Sequence, residues 1–224
     1  MTVQVLRPRT RVLRAPPISQ VEIGRAQTAP PPPWWYVEGK TCVAAYQPKG
    51  AASYTASKIN LASPGTYDAV PLGAEPLWDS GGWYNCPGMK VDGFTTVEGH
   101  AYSLIIRTNN YSKFALMASV AAWEIYTRDG SWHAFGPWTG NISGGATGDV
   151  VMCITSGDGT SQEAGYRNGI MTKTNWTTYS TVGGLACTLF PLRNMTTYAM
   201  AAALYSDRLT EEQVATVSAA MAAL

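Results

Sequence analysis

This sequence is poor in charge, in histidine and in cysteine, and each shortage removes a class of chemistry. Only 14% of its residues are charged and 46% are hydrophobic, which is the opposite of the charge-rich, core-poor pattern of a disordered chain. The two histidines, His100 and His133, sit in no recognisable nucleophile motif, so a hydrolytic triad is not expected. Four cysteines, Cys42, Cys86, Cys153 and Cys187, show no CxxC spacing and no neighbouring His, which argues against zinc. Three of them lie inside the apolar runs TCVAAY, VVMCIT and LACTLF, where a free thiol behaves as a small buried hydrophobe. No stretch approaches the ~18 apolar residues of a membrane span, and the Met1 end carries no apolar signal core. The expectation is synthesis in a cytosol with reduced thiols.

What is present suits many short strands. Gly 22 and Pro 14 supply turns, and Trp 8 and Tyr 12 outnumber Phe 4, so most aromatics carry a polar handle fit for surfaces as well as cores. The formal net charge of +1 is unevenly spread. Residues 1–33 hold Arg7, Arg9, Arg11, Arg14 and Arg25 against Glu22 alone, while the remainder is net acidic. This Arg- and Pro-rich arm has too little apolar content for its own core and is expected to order only against a partner. It ends in the polyproline spacer Pro30-Pro31-Pro32-Pro33, and a domain over residues 34–224 begins at Trp34-Trp35-Tyr36, where the arm is expected to be stapled onto the core.

Within the domain, Thr41 to Gln47 reads as a first strand, and the polar segment from Ala51 to Gly73 as a long connection. Trp78 to Met89 reads as a loop-like aromatic cluster, and Gly136 to Gly148 as a Gly-rich connection. Between and beyond them, strands are expected at Ala101–Arg107, Lys113–Ser119, Trp123–Thr127, Ser131–Phe135, Asp149–Thr155, Glu163–Arg167 and Ile170–Lys173. Two more are expected near Tyr179 and at Leu185–Leu189. Asp129-Gly130 and Asn168-Gly169 are hairpin turns, and Gly157-Asp158-Gly159 turns the chain. The end differs from everything before it. An edge-to-core strand from Thr197 to Tyr205 runs into a helix with Thr210 as N-cap, Gln213 completing a capping box, and Val214, Val217, Met221 and Leu224 on one stripe. Ten to twelve short strands with one helix predict an all-β, two-sheet antiparallel jelly-roll sandwich, one short C-terminal helix and an extended N-terminal arm.

Four segments in this order carry a resemblance: AAYQPKGAASYTASKINLASPGTYDA, WDSGGWYN, the Tyr166-Arg167-Asn168-Gly169 hairpin after DVVMCIT, and AALYSDRLTEEQVATVSAAM. Together the chain from 41 to 222 resembles the concanavalin A-like lectin/glucanase superfamily in its laminin-G-like branch. The resemblance implies a fold and a habitat more than a reaction, because domains of this sort recur in bacteriophage virion proteins and in secreted bacterial proteins. Calcium is a common ligand in that superfamily. Asp158 and Asp79 could supply oxygens, but each lacks a cluster of carboxylates and reads as a turn residue beside Gly.

Glucanases of the superfamily need paired carboxylates on one strand, about 5 Å apart, to face one sugar. No Glu-x-Asp-x-Glu run exists, the adjacent Glu211 and Glu212 open a helix, and Asp158 and Glu163 are expected on either side of a loop. Glycan binding instead needs flat aromatic faces beside amide or carboxylate groups. Trp132, His133, Trp138 and Asn141 form one such mixture, and Trp83, Tyr84 and Asn85 a second, unless these aromatics cap the sandwich or meet a neighbouring subunit. The arm's arginines lack interleaved aromatics for base stacking, so an acidic protein surface, not nucleic acid, is the expected partner.

These readings converge on a non-enzymatic structural protein of a bacteriophage virion, a capsid-decorating or tail-associated subunit without a cofactor. The arm anchors it to other virion proteins, the domain is exposed and binds glycans, and identical copies pack as a homo-oligomer. A free carbohydrate-binding lectin is the alternative, and a glycoside hydrolase the third.

Overall fold

A computed structural model describes residues 30–109, 114–120, 123–128, 131–135, 139–145, 149–155, 158–190 and 197–224. Fifteen strands and two helices lie within them. The first half holds β1 (Cys42–Tyr46), α1 (Tyr54–Ser57), β2 (Ala69–Pro71), β3 (Leu77–Asp79), β4 (Gly82–Tyr84), β5 (Met89–Val91) and β6 (Ser103–Asn109). Then follow β7 (Phe114–Val120), β8 (Trp123–Arg128), β9 (Ser131–Phe135), β10 (Thr139–Gly145) and β11 (Asp149–Thr155). The last are β12 (Asp158–Arg167), β13 (Ile170–Ser180), β14 (Thr188–Leu189), β15 (Ala199–Tyr205) and α2 (Glu211–Ala222). The first sheet runs β13-β12-β11-β6-β15-β4-β3, with β1 also on β15, and the second runs β10-β9-β8-β7-β14-β5-β2. Every pairing is antiparallel, so the architecture is the expected two-sheet sandwich.

The centre of the first sheet, β11, β6 and β15, is dry on both faces, and alternation along its strands explains how. Leu104, Ile106, Val150, Met152, Ala202 and Leu204 face the second sheet, where they meet Met89, Ile125, Leu189 and Phe190. The residues between them, Ile105, Val151, Cys153, Ala201, Ala203 and Tyr205, face outward into a second cluster with Val214, Val217 and Met221 of α2. That is the two-period of a strand used twice. All seven residues of β15 are buried, which is why a strand of four alanines is stable despite their modest β propensity. Trp34 and Trp35 complete the outer cover beside the helix. Trp34 Nε1 donates to Gln47 Oε1 at 3.1 Å, and the Tyr205 hydroxyl donates to the Trp35 carbonyl at 2.8 Å.

The helix is seated by polar contacts that match its ends. The Thr210 hydroxyl accepts from Gln213 N, and the Gln213 side chain accepts from Thr210 N, with Glu211 and Glu212 in the first turn. This is the capping box expected from the sequence. At the other end Arg107, 5% exposed on the outer face of β6, donates to the Met221 carbonyl at 2.9 Å and to Asp149 Oδ2 at 2.8 Å. Its charge lies where the helix dipole is negative, an interaction worth up to about 2 kcal/mol in a partly buried setting.

The Asn168-Gly169 hairpin also fixes the helix. Asn168, at φ +48°, accepts from Val151 N through its side chain at 2.9 Å and donates its own N–H to Val151 O at 2.7 Å. Gly169 lies directly under α2, where an added Cβ would stand 2.9 Å from the Ala215 Cα. The YRNG motif is therefore a docking plate for the helix, with Tyr166 buried in the same cluster.

Several expectations are corrected. The segment from Ala51 to Gly73 is not a plain connection, since Ser53 caps α1 and β2 pairs with β5. Trp78 to Met89 begins as the hairpin β3–β4, because Gly82, at φ +125°, lets the Ala199 carbonyl come within 2.3 Å of where a Cβ would be. The Gly-rich segment contributes β10, and Asp158 opens β12, so it shares a strand with Glu163. The closing strand is central, with β6 on one side and β1 and β4 on the other. Residues 1–29, with the five arginines of the arm, lie outside the described residues, as does the Asp129-Gly130 turn.

Gly169→Ala should be costlier than Gly93→Ala. Both positions have positive φ, but a Cβ at 93 enters open space. The left-handed backbone alone costs about 1–2 kcal/mol, and the clash with the helix adds roughly 1–3 kcal/mol. Equal shifts of the urea midpoint would show that the helix does not bear on the hairpin.

Candidate functional site

Beyond the edge of α2, the outer face of the first sheet continues onto β4 and β3, and there its aromatics are only partly covered. Along β4 the side chains alternate. Trp83 turns inward, 0% exposed, with Nε1 donating to Ser57 Oγ at 2.7 Å. It is a core residue, which corrects its assignment to a glycan surface. Tyr84 turns outward and is half-buried.

Tyr84 packs against Tyr198, the ring centroids 5.3 Å apart at 53°. The Tyr198 hydroxyl donates to Asp79 Oδ2 at 2.8 Å, and Asp79 Oδ1 accepts from Gly81 N at 2.7 Å. The Tyr198 backbone N–H donates to Asn109 Oδ1 at 2.7 Å, which ties the approach of β15 to the end of β6. Gly81 is required for this contact, since a Cβ there would meet the Tyr198 ring at 2.8 Å. The hydrogen bond to Asp79, followed by partial burial, raises the Tyr198 phenol, so the donor stays protonated. Leu77, 51% exposed, pairs with Tyr84 across the hairpin, and exposed Asn85 follows at φ +46°.

The result is a platform of two tyrosine rings, one aliphatic side chain and one carboxylate held in place by its own neighbours. Aromatic faces stack on the C–H faces of a sugar ring, and the carboxylate accepts from its hydroxyls. Sequence reading identified Tyr84 and missed Tyr198, which lies 114 positions away. A bulge between Ala199 and Ala201 resets the alternation of β15 and brings Tyr198 to the outer face.

Three members of the other predicted group lie on neighbouring strands of the second sheet, Trp132 and His133 on β9 and Asn141 on β10. Ile125 is fully buried in the sandwich core, and its row runs through Ala134 to Gly140. The next row of register partners is Tyr126, His133 and Asn141. Trp132 pairs with Thr127 and Ile142, one step further along the strands. Trp138 lies outside the described residues.

Acidic groups near these surfaces serve the fold. Asp68 accepts from Asn60 N and Gly65 N, Asp92 pairs with Lys90, Asp149 with Arg107, and Asp207 with Lys40 and Thr41 N. Calcium needs several oxygen ligands together, and no group of three or more His, Cys, Asp or Glu side chains that could hold a metal ion occurs among the described residues. The four cysteines are free. Burial pushes the Cys86 thiol up to about 11 and the Cys42 thiol up to about 12, and raises Cys153 and Cys187 further, so all stay neutral.

No family profile and no curated protein matches the sequence. Solved structures do. A Trypanosoma rangeli sialidase in complex with the inhibitor DANA superposes with a TM-score of 0.54 at 11% identity, over 79% of this chain and 32% of its own. The receptor-binding domain of botulinum neurotoxin D gives 0.56 at 10% identity, over 80% of this chain and 52% of its own. This chain spans about half or less of those structures, and what it shares with them is a β-sandwich fold.

Proposed function

We propose that this chain is a non-catalytic, glycan-binding sandwich that serves as a structural subunit of a bacteriophage particle. The Tyr84–Tyr198 pair beside Asp79 carries the binding part of this reading, because it is the one place where described aromatic rings and a hydrogen-bonding carboxylate share a face that is only partly covered. The fold's likeness to a toxin receptor-binding domain and to a sialidase is in keeping with it. A non-catalytic role is supported by Asp68, Asp79, Asp92, Asp149 and Asp207, which are engaged by a backbone N–H, a tyrosine, a lysine or an arginine of the chain itself. The particle role rests on the cationic arm at residues 1–33, opposite in sign to the rest, and on the resemblance to laminin-G-like virion domains.

In this account the arm lies along an acidic surface of another particle protein and the sandwich projects from it, packed against identical copies. A free adhesion lectin would use the same platform and would not need the arm.

Two experiments separate these statements. On a glycan array, Tyr84→Ala should lower binding about ten-fold, the effect of roughly 1.4 kcal/mol, with Asp79→Asn weaker in effect. Wild-type binding retained by Tyr84→Ala would remove the platform from consideration. Deletion of residues 1–33 should leave a folded domain that no longer enters particles, whereas undiminished incorporation would reject the anchoring role.

A further inference from the structure

At the opposite end of β15 from Tyr198 lies a groove that the platform does not use. Eight residue steps separate Tyr198 from Ser206, which at ~3.3 Å per residue is about 26 Å, so the two surfaces do not share one monosaccharide. The groove measures about 410 Å³, within the roughly 300–1,000 Å³ of small-molecule sites. Tyr67 and Phe94 are its aromatic residues. Thr41, Ser63, Thr66, Thr95 and Ser206 bring five hydroxyls to its lining, and among the described residues no charged side chain lines it.

The loop that presents Tyr67 is held by the core. Tyr67 has φ +60°, a conformation a bulky residue rarely adopts and one that marks functional positions when the surroundings enforce it. Here the hydroxyl of buried Tyr46 donates to the Tyr67 carbonyl. Fully buried Asn60 donates to Val43 O at 2.9 Å and Thr66 O at 2.8 Å, and accepts from Ala45 N and Ala62 N. Asp68 accepts from Asn60 N at 2.8 Å. The Tyr67 ring stands edge-on to Phe94 at 6.0 Å and remains 37% exposed.

We propose that this groove is a second saccharide site, and that it takes a neutral sugar. A preformed aromatic face and a ring of hydroxyls, each able to donate and accept, match a polyhydroxylated ring, and among the described residues no cation lines the groove to receive a carboxylate or phosphate. Three charged groups next to the lining residues are engaged within the chain. Lys40 pairs with Asp207 at 3.7 Å, Asp207 also accepts from Thr41 N, and Asp68 accepts from the backbone. Cys42, which also lines the groove, is a neutral thiol because burial pushes it up to about 12.

The test is an NMR titration of the full-length, amide-labelled protein with maltotriose, cellotriose and diacetylchitobiose, with sialyllactose and an uncharged Val/Ala-rich peptide for comparison. At least one neutral sugar should move the amides of Thr66, Tyr67, Thr95 and Ser206. The response should survive in Tyr84→Ala and in Tyr67→Phe, and fall at least ten-fold in Tyr67→Gly, which removes the ring and relieves the backbone together. A native-like spectrum of that variant shows that the fold is kept. Sialyllactose or the peptide moving these amides more than any neutral sugar would overturn the assignment, as would neutral sugars that leave them unmoved. Because Tyr84→Ala is titrated in parallel, loss at the platform and loss at the groove are read separately.

Discussion

The central strands of the first sheet have no wet face, and the rest of the structure is arranged around that constraint. Their inner side meets the second sheet, and their outer side meets α2 with Trp34 and Trp35. A strand covered twice must be narrow, and β15 supplies this with Ala199, Ala201, Ala202 and Ala203 at its centre. Arg107 is the polar consequence. It stands on an apolar face only because the C-terminal carbonyl of the helix and the Asp149 carboxylate receive its guanidinium.

Where the helix ends, the same face is only partly covered. Tyr84 and Tyr198 are outward residues of strands whose inward neighbours, Trp83 and Ala199, belong to the core. The rings are thus mounted on the rigid part of the molecule, and Gly81 and Gly82 are the small residues that allow β4 and the Tyr198 ring to close up. The groove at Tyr67 is built on the same logic from the other end, with buried Tyr46 and Asn60 fixing its loop. Both surfaces draw their order from the core.

Sequence patterns were enough wherever one local rule acted alone. The capping box at Thr210 and Gln213 and the Asn168-Gly169 hairpin could be read directly, since each depends on a few adjacent residues. The sandwich followed from the spacing of its strands. What escaped reading were features set by distant partners. Trp83 looks like a surface aromatic until Ser57 and Phe190 are seen around it. Tyr198 was hidden by a bulge that inverts the parity of its strand, and a one-residue shift moves every side chain to the other face. Strands as short as β3 and β4 leave no periodicity to detect.

With β15 covered on both faces, only global unfolding should expose it. Native-state hydrogen exchange measures this directly at Ala201, Ala202 and Ala203. Their opening free energies should equal the global stability and fall with denaturant at the same slope. Exchange of these amides through a smaller opening, in which α2 lifts while β6 and β11 remain protected, would contradict the account.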